Sequence, residues 1–149
     1  MNLKLIAFVF ILPITNAFGC PDLSGSYTCN VKTEDGKNPI ETITITQQVQ
    51  NNTTTYLING SERIVDGQNH TTPIMGLSDV QYSGTCDESL MLLLDAKIQN
   101  AEGRILGDFH SYLVMYKMEK YLRFFEIGSH ATENEYISFS RESVCEPTK

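Results

Sequence analysis

A chain of 149 residues with four cysteines, no tryptophan and a formal net charge of −7 is one ordinary domain, long enough to bury a core. Its acidity argues against nucleic acid and against adhesion to anionic membrane surfaces, since both ask for basic patches. No apolar stretch has the ~20 residues that a helix needs to cross a bilayer. Residues 5–14 (LIAFVFILPI) are a run of ten, and the LMLLLDAKI that starts at Leu90 is stopped by Asp95.

The first segment predicts export. Lys4 is its one positive charge, residues 5–14 are apolar, and Pro13 interrupts the run before small residues follow. Thr15-Asn16-Ala17 and Ala17-Phe18-Gly19 both fit the small-x-small rule of a cleavage site. Residues 1–19 therefore read as a secretory signal, cut after Ala17 or Gly19, ahead of a single domain over residues 20–149. A hydrophobic first strand of the fold is the other reading of the same run.

After Cys20 the chain reads as strand after strand. Gly25, Tyr27, Cys29 and Val31 fall on one face and Ser24, Ser26, Thr28, Asn30 and Lys32 on the other, the period-two pattern of a sheet wet on one side. ETITITQQV, from Glu41, alternates again with Ile43 and Ile45 facing in. Asn51-Asn52 turns the chain into TTTYLI, and Asn59-Gly60 predicts a tight hairpin into ERIV. Val80, Tyr82, Gly84 and Cys86 share a face in DVQYSGTC. Leu90, Leu92, Leu94, Ala96 and Ile98 share one in SLMLLLDAKI, which is also arguable as a short helix but carries no capping signal. FHSYLVMYKM, KYLRFFEI and EYISFSR complete the series, rich in the β-branched and aromatic residues that strands favour. Three connections exceed hairpin length: residues 66–79, 99–108 and 128–135. The expectation is an all-β, antiparallel up-and-down barrel of about eight to nine strands, lipocalin-like in shape, because closure removes exposed edges. A two-sheet sandwich is the alternative.

An even number of cysteines in an exported chain is expected to pair. A lipid anchor at Cys20 is the competing reading, but it would strand one of the remaining sulfurs, and the residues before Cys20 lack the Leu-small-small run that such anchors follow. A strand from Ser24 to Lys32 carries Cys29 away from Cys20, so those two are not partners. First and last strands of a closed meander are neighbours, which predicts Cys20–Cys145 together with Cys29–Cys86. Cys29–Cys145 with Cys20–Cys86 is the second choice. A metal site is not expected, since there is no C-x-x-C and His70, His110 and His130 show no ligand spacing.

The opening Cys20-Pro21-Asp22-Leu23-Ser24-Gly25-Ser26-Tyr27-Thr28-Cys29, with the Thr-rich strand, the Asn59-Gly60 hairpin, Cys86 and Cys145, resembles a group of small exported proteins from predatory and related Gram-negative bacteria. The resemblance implies location and a disulfide framework, not a chemistry. Gly25-x-Tyr27 is also similar to the Gly-x-Trp opening of lipocalins, with Tyr27 in place of the tryptophan. Shape alone does not give function.

No G-x-S-x-G, H-E-x-x-H or phosphate-binding loop is present. His110 lies between Phe109 and Ser111 in a strand, and the sequence identifies no partner for it as a general base. Neither an enzyme nor a cofactor is expected. Arg123, in parity with Tyr121 and Phe125, could anchor a ligand carboxylate among aromatics, with Tyr112 and Tyr116 as lining candidates. The other reading of Arg123 is a solvated side chain on the outer face, and of the tyrosines, core packing. Sequons at Asn51, Asn52, Asn59 and Asn69 read as chance products of Asn- and Thr-rich turns if the bacterial resemblance holds. The expected function is binding of a small apolar or amphiphilic molecule inside the barrel, in the periplasm or outside the cell. The alternative is a protein-interaction or inhibitor module, which predicts a filled interior and an exposed apolar patch, expected near residues 74–77 (IMGL). The sequence assigns no oligomeric state.

Overall fold

The computed structural model describes residues 19–34, 36–74 and 76–148, so the predicted signal lies, except for Gly19, outside the described residues. Ten strands follow one another: β1 (Gly25–Thr33), β2 (Ile40–Gln50), β3 (Thr53–Ile58), β4 (Ser61–Val65), β5 (Asn69–Thr71), β6 (Leu77–Cys86), β7 (Leu90–Gln99), β8 (Ile105–Met118), β9 (Tyr121–Thr132) and β10 (Tyr136–Pro147). All pairings are antiparallel, and the spatial order is β4-β3-β2-β1-β10-β9-β8-β7-β6-β5. The result is one nearly closed, up-and-down barrel-shaped sheet, with no helix among the described residues. One strand more than expected, and the extensions of two others, come from segments read as connections. Asn69–Thr71 pairs with β6, β8 already begins at Ile105, and β9 runs on to Thr132.

Two consecutive left-handed residues make each of the first two tight turns. Asn51 and Asn52 have φ of 51° and 62°, Asn59 and Gly60 of 50° and 78°. Asparagine tolerates that region and glycine has no penalty in it, which is why these pairs close two-residue hairpins. The Asn59 side chain also accepts a hydrogen bond from the Thr44 N–H at 2.8 Å, tying the second turn back to β2.

The barrel is closed at β1–β10 and incomplete between β4 and β5. There β4 and the turn after it are tied to β6 by side chains and single bonds rather than by a ladder. The Ile64 N–H donates to the Tyr82 hydroxyl at 2.9 Å, and the Gly67 N–H to the Gly84 carbonyl at 2.9 Å. Gly84 makes this approach possible, because a Cβ there would sit 3.1 Å from the Ile64 carbonyl oxygen.

The predicted inward faces are the buried ones. Tyr27, Tyr56, Tyr82, Met115, Leu122 and Phe124, each 4 % exposed or less, fill the lumen with Val31, Ile45, Leu90 and Leu92. The segment before β1 turns under one end. Leu23 is fully buried, Tyr27 donates to its carbonyl at 3.1 Å, and Tyr56 donates to the Pro21 carbonyl at 2.5 Å. Further along the inner face of β9 a polar cluster takes over. Ser111 donates to Glu126 at 2.8 Å, Arg141 pairs with the other oxygen of Glu126, and Arg141 reaches Glu41 at 3.5 Å.

The disulfides correct the first-choice pairing. Cys29 bonds Cys145, with Cα atoms 3.9 Å apart, and Cys20 bonds Cys86, at 5.0 Å. First and last strands are indeed neighbours, but β10 extends to Pro147. Cys145 is therefore inside the ladder, directly opposite Cys29, rather than at the chain's exit. Cys20, ahead of β1, instead meets Cys86 where β6 ends.

Candidate functional site

Strand register arranges the outer face of β6–β10 in rows. One row reads Asn69, Ser83, Leu93, Tyr112, Ile127 and Ser140 across β5 to β10, each opposite the next. It ends at Glu34, whose carboxylate accepts from the Ser140 hydroxyl at 2.7 Å. The next row is polar: Gln81, Asp95, His110, Ser129 and Ser138. Apart from Gln81, the two rows line a shallow groove of about 700 Å³. On the other side of the first row come Met91, Val114 and Phe125, also opposite one another. Leu93, Phe125 and Ile127 are 53 %, 41 % and 43 % exposed, so an apolar strip two residues deep and three strands wide faces solvent beside a polar row. Side chains on a pleated sheet alternate between faces. β7 is apolar at almost every position because both of its faces have apolar work, Leu90 and Leu92 inside, Met91 and Leu93 outside.

The three candidate residues fall together on this outer face, not in the lumen. Tyr116 lies directly opposite Arg123, and Tyr112 is four residues along β8 on the same side. Arg123 is half-buried, its Nε is shielded from solvent, and no hydrogen bond or ion pair reaches it among the described residues. The apolar patch expected at residues 74–77 is not where the exposed apolar side chains gather. Ile74 and Leu77 are half-buried, and Met75 lies outside the described residues.

His110 has the partner that the sequence did not identify: its Nδ1 bonds the Asp95 carboxylate across the β7–β8 pair. Ser129 is opposite His110 on β9, so a carboxylate, an imidazole and a hydroxyl stand in one row. These are the residue types of an activated nucleophile. However, His110 and Asp95 are 58 % and 69 % exposed, and His110 bonds only Asp95 among the described residues. In solvent of high dielectric the charges of such a row are screened, whereas electrostatic catalysis draws on a water-excluded site. His70 is on β5, bonded to Asp66 at 2.8 Å, with its ring 5.4 Å from that of Tyr82. The hydrogen bond from His70, and then that from the Gln68 N–H, hold the Asp66 carboxyl below the usual carboxylate range. His130 is part of β9 rather than a loop.

Two of the smaller concavities lie next to features already described. One of about 500 Å³ lies beside the Cys20–Cys86 bridge, and one of about 370 Å³ sits at the β4–β5 seam, near Glu62, Thr72 and Tyr82. Among the described residues no three His, Cys, Asp or Glu side chains converge as a metal site, and no helix is long and apolar enough to cross a membrane. Comparison with protein-family models, with curated proteins and with solved structures returned no match.

Proposed function

We propose that this chain is an exported binding protein whose amphiphilic ligand lies on the outer face of β6–β10. The observation that carries the reading is the division of apolar residues. Tyr27, Tyr56, Tyr82, Met115 and Phe124 already occupy the lumen, while Leu93, Phe125 and Ile127 face solvent in register beside a hydroxyl- and carboxylate-bearing groove. Exposed contiguous apolar surface with a polar rim is what binding faces look like. The reading moves the ligand out of the barrel and keeps its chemistry. A protein partner is the second reading, supported by the breadth of the face over five strands.

Export is part of the proposal. Two disulfides accord with an oxidising compartment, and all four cysteines are paired, so Cys20 has no thiol left for a lipid anchor. Residues 1–19 serve as the signal, and the mature protein works in the periplasm or outside the cell.

The test uses a neutral dye of environment-sensitive fluorescence, Nile red. Wild-type protein is expected to enhance its emission, and a Leu93→Asp, Ile127→Asp double variant to lose that enhancement with an unchanged melting temperature. Undiminished dye binding in the variant would place the apolar site elsewhere and end the outer-face reading.

A further inference from the structure

The outer-face reading leaves open what fixes a ligand's orientation, and Arg123 supplies a cation for that purpose. We propose that Arg123 is the anchor for the carboxylate of an alkyl-chain ligand that lies along the outer face of β8 and β9.

Two observations carry this independently of each other. The first is the state of the guanidinium. Arg63 donates to Thr72 and Ser61, and Arg141 is engaged by Glu126 and Glu41. Arg123 instead has an Nε removed from water with no acceptor among the described residues. A guanidinium without a protein acceptor is open to a charge-assisted, fork-shaped pair, which an arriving carboxylate would make with the terminal nitrogens rather than with the shielded Nε.

The second observation is the line that leads away from it. Phe125 and Ile127 are the next outward residues of β9, flanked on β8 by Val114 and Tyr112. At ~3.3 Å per residue the step from Arg123 to Ile127 is ~13 Å. It ends at the groove where Ser129 and His110 stand. One cation at the end of a narrow apolar track matches a ligand with one negative charge and a flexible hydrocarbon tail. A polyanion or an anionic lipid surface does not fit. Glu142 lies opposite Phe125 on β10, Asp95 lies in the polar row, and the chain carries a net charge of −7.

The inference rests on the outer face being the binding surface, so the experiment separates the two. Dodecanoate, kept below its micelle-forming concentration, and its neutral methyl ester are titrated into the wild-type protein and followed by backbone amide shifts. The acid is expected to bind about tenfold more tightly than the ester, since a charge-assisted hydrogen bond is worth about that factor. Shifts should concentrate on Arg123, Phe125 and Ile127. Arg123→Gln should abolish the preference for the acid, while Arg123→Lys should retain part of it. Equal affinity of acid and ester for the wild-type protein, or a preference that survives in Arg123→Gln, would overturn the anchor while the dye experiment still supports the face. Failure of dodecanoate to bind the wild-type protein at all would overturn it as well.

Discussion

Glu126 is a carboxylate on an inward face, 9 % exposed, and it is tolerated because Ser111 and Arg141 each serve one of its oxygens. The guanidinium of Arg141 also lies over the Phe124 ring, 5.6 Å from its centroid. Replacing one partner of a buried pair leaves the other desolvated, and the loss exceeds the worth of the pair itself. Arg141→Met should therefore cost ~2–4 kcal/mol, somewhat under the fully buried case because Arg141 is 37 % exposed. The double variant Glu126→Leu, Arg141→Met should recover most of that. Urea denaturation of the four proteins measures the cycle, and additive losses would show that the two side chains act separately. Asp66 makes a pH argument at the same scale. Its carboxyl is held below the usual range by His70 and the Gln68 N–H, so the bonds favour the folded state wherever Asp66 is ionised. That contribution is present above the unfolded value of ~3.9 and is lost as pH falls through the lower folded value. The melting-temperature difference between wild type and Asp66→Asn should accordingly shrink as pH drops from about 5 to about 3. A constant difference over that range would mean that ionisation of Asp66 is irrelevant to the fold.

At the scale of elements, the β4–β5 seam is held by few bonds. Among the described residues β4 and its following turn reach β6 through Gly67 N–H to Gly84 C=O and Ile64 N–H to Tyr82, helped by Arg63, which lies 5.2 Å over the Tyr82 ring and donates to Thr72. A side chain at Gly84 would meet the Ile64 carbonyl at 3.1 Å and the Val65 side chain at 3.2 Å. Both neighbours belong to β4, so a substitution pushes that strand off the barrel. Gly84→Val should cost the amides of Ile64 and Gly67 their protection from hydrogen exchange, with β8–β9 amides protected as before. Uniform loss of protection would mean that the seam is not an independent weak point. The strands themselves were legible because each buries one face: Tyr27, Cys29 and Val31 alternate with Ser26, Thr28 and Asn30, and nothing else explains that period. β7 was harder to read, since a strand apolar on both faces resembles a buried helix. Its doubled pattern is in fact the sequence trace of the candidate site. Pairs that depend on register were not legible. Asp95 and His110 are 15 residues apart, and only the turn between Gln99 and Ile105 decides that they meet. The disulfide pairing failed for the same reason. EYISFSR stops at Arg141, whereas β10 continues through Cys145, and that continuation puts Cys145 opposite Cys29.

Across the whole molecule the two disulfides do different things: Cys29–Cys145 is fully buried, whereas Cys20–Cys86 is only partly so. Cys29–Cys145 joins the first and last strands across a separation of 116 residues, within a ladder that already pairs them. Cys20–Cys86 spans 66 residues and fastens a segment that belongs to no strand, whose other ties include Leu23 in the core, the Tyr27 hydroxyl on the Leu23 and Ser24 carbonyls and the Tyr56 hydroxyl on the Pro21 carbonyl. A bridge acts chiefly by restricting the unfolded chain, more so for a longer loop, and removing a native one typically costs ~2–5 kcal/mol. Loop length alone separates the two by only ~0.5 kcal/mol, so their difference lies in the folded state. Cys29→Ala with Cys145→Ala should lower global stability and leave native protection elsewhere intact, because the β1–β10 hydrogen bonds remain. Cys20→Ala with Cys86→Ala should in addition release residues 20–24, expose Leu23, and admit solvent to the end of the lumen that this segment covers. Hydrogen exchange at Tyr27 and Tyr56 reports that opening, and Nile red reports it too, as new dye binding that Leu93→Asp with Ile127→Asp no longer removes. If the second pair of substitutions loses stability without either signal, the segment stays docked by Leu23 and its hydrogen bonds alone, and the bridge does no more than shorten the unfolded chain.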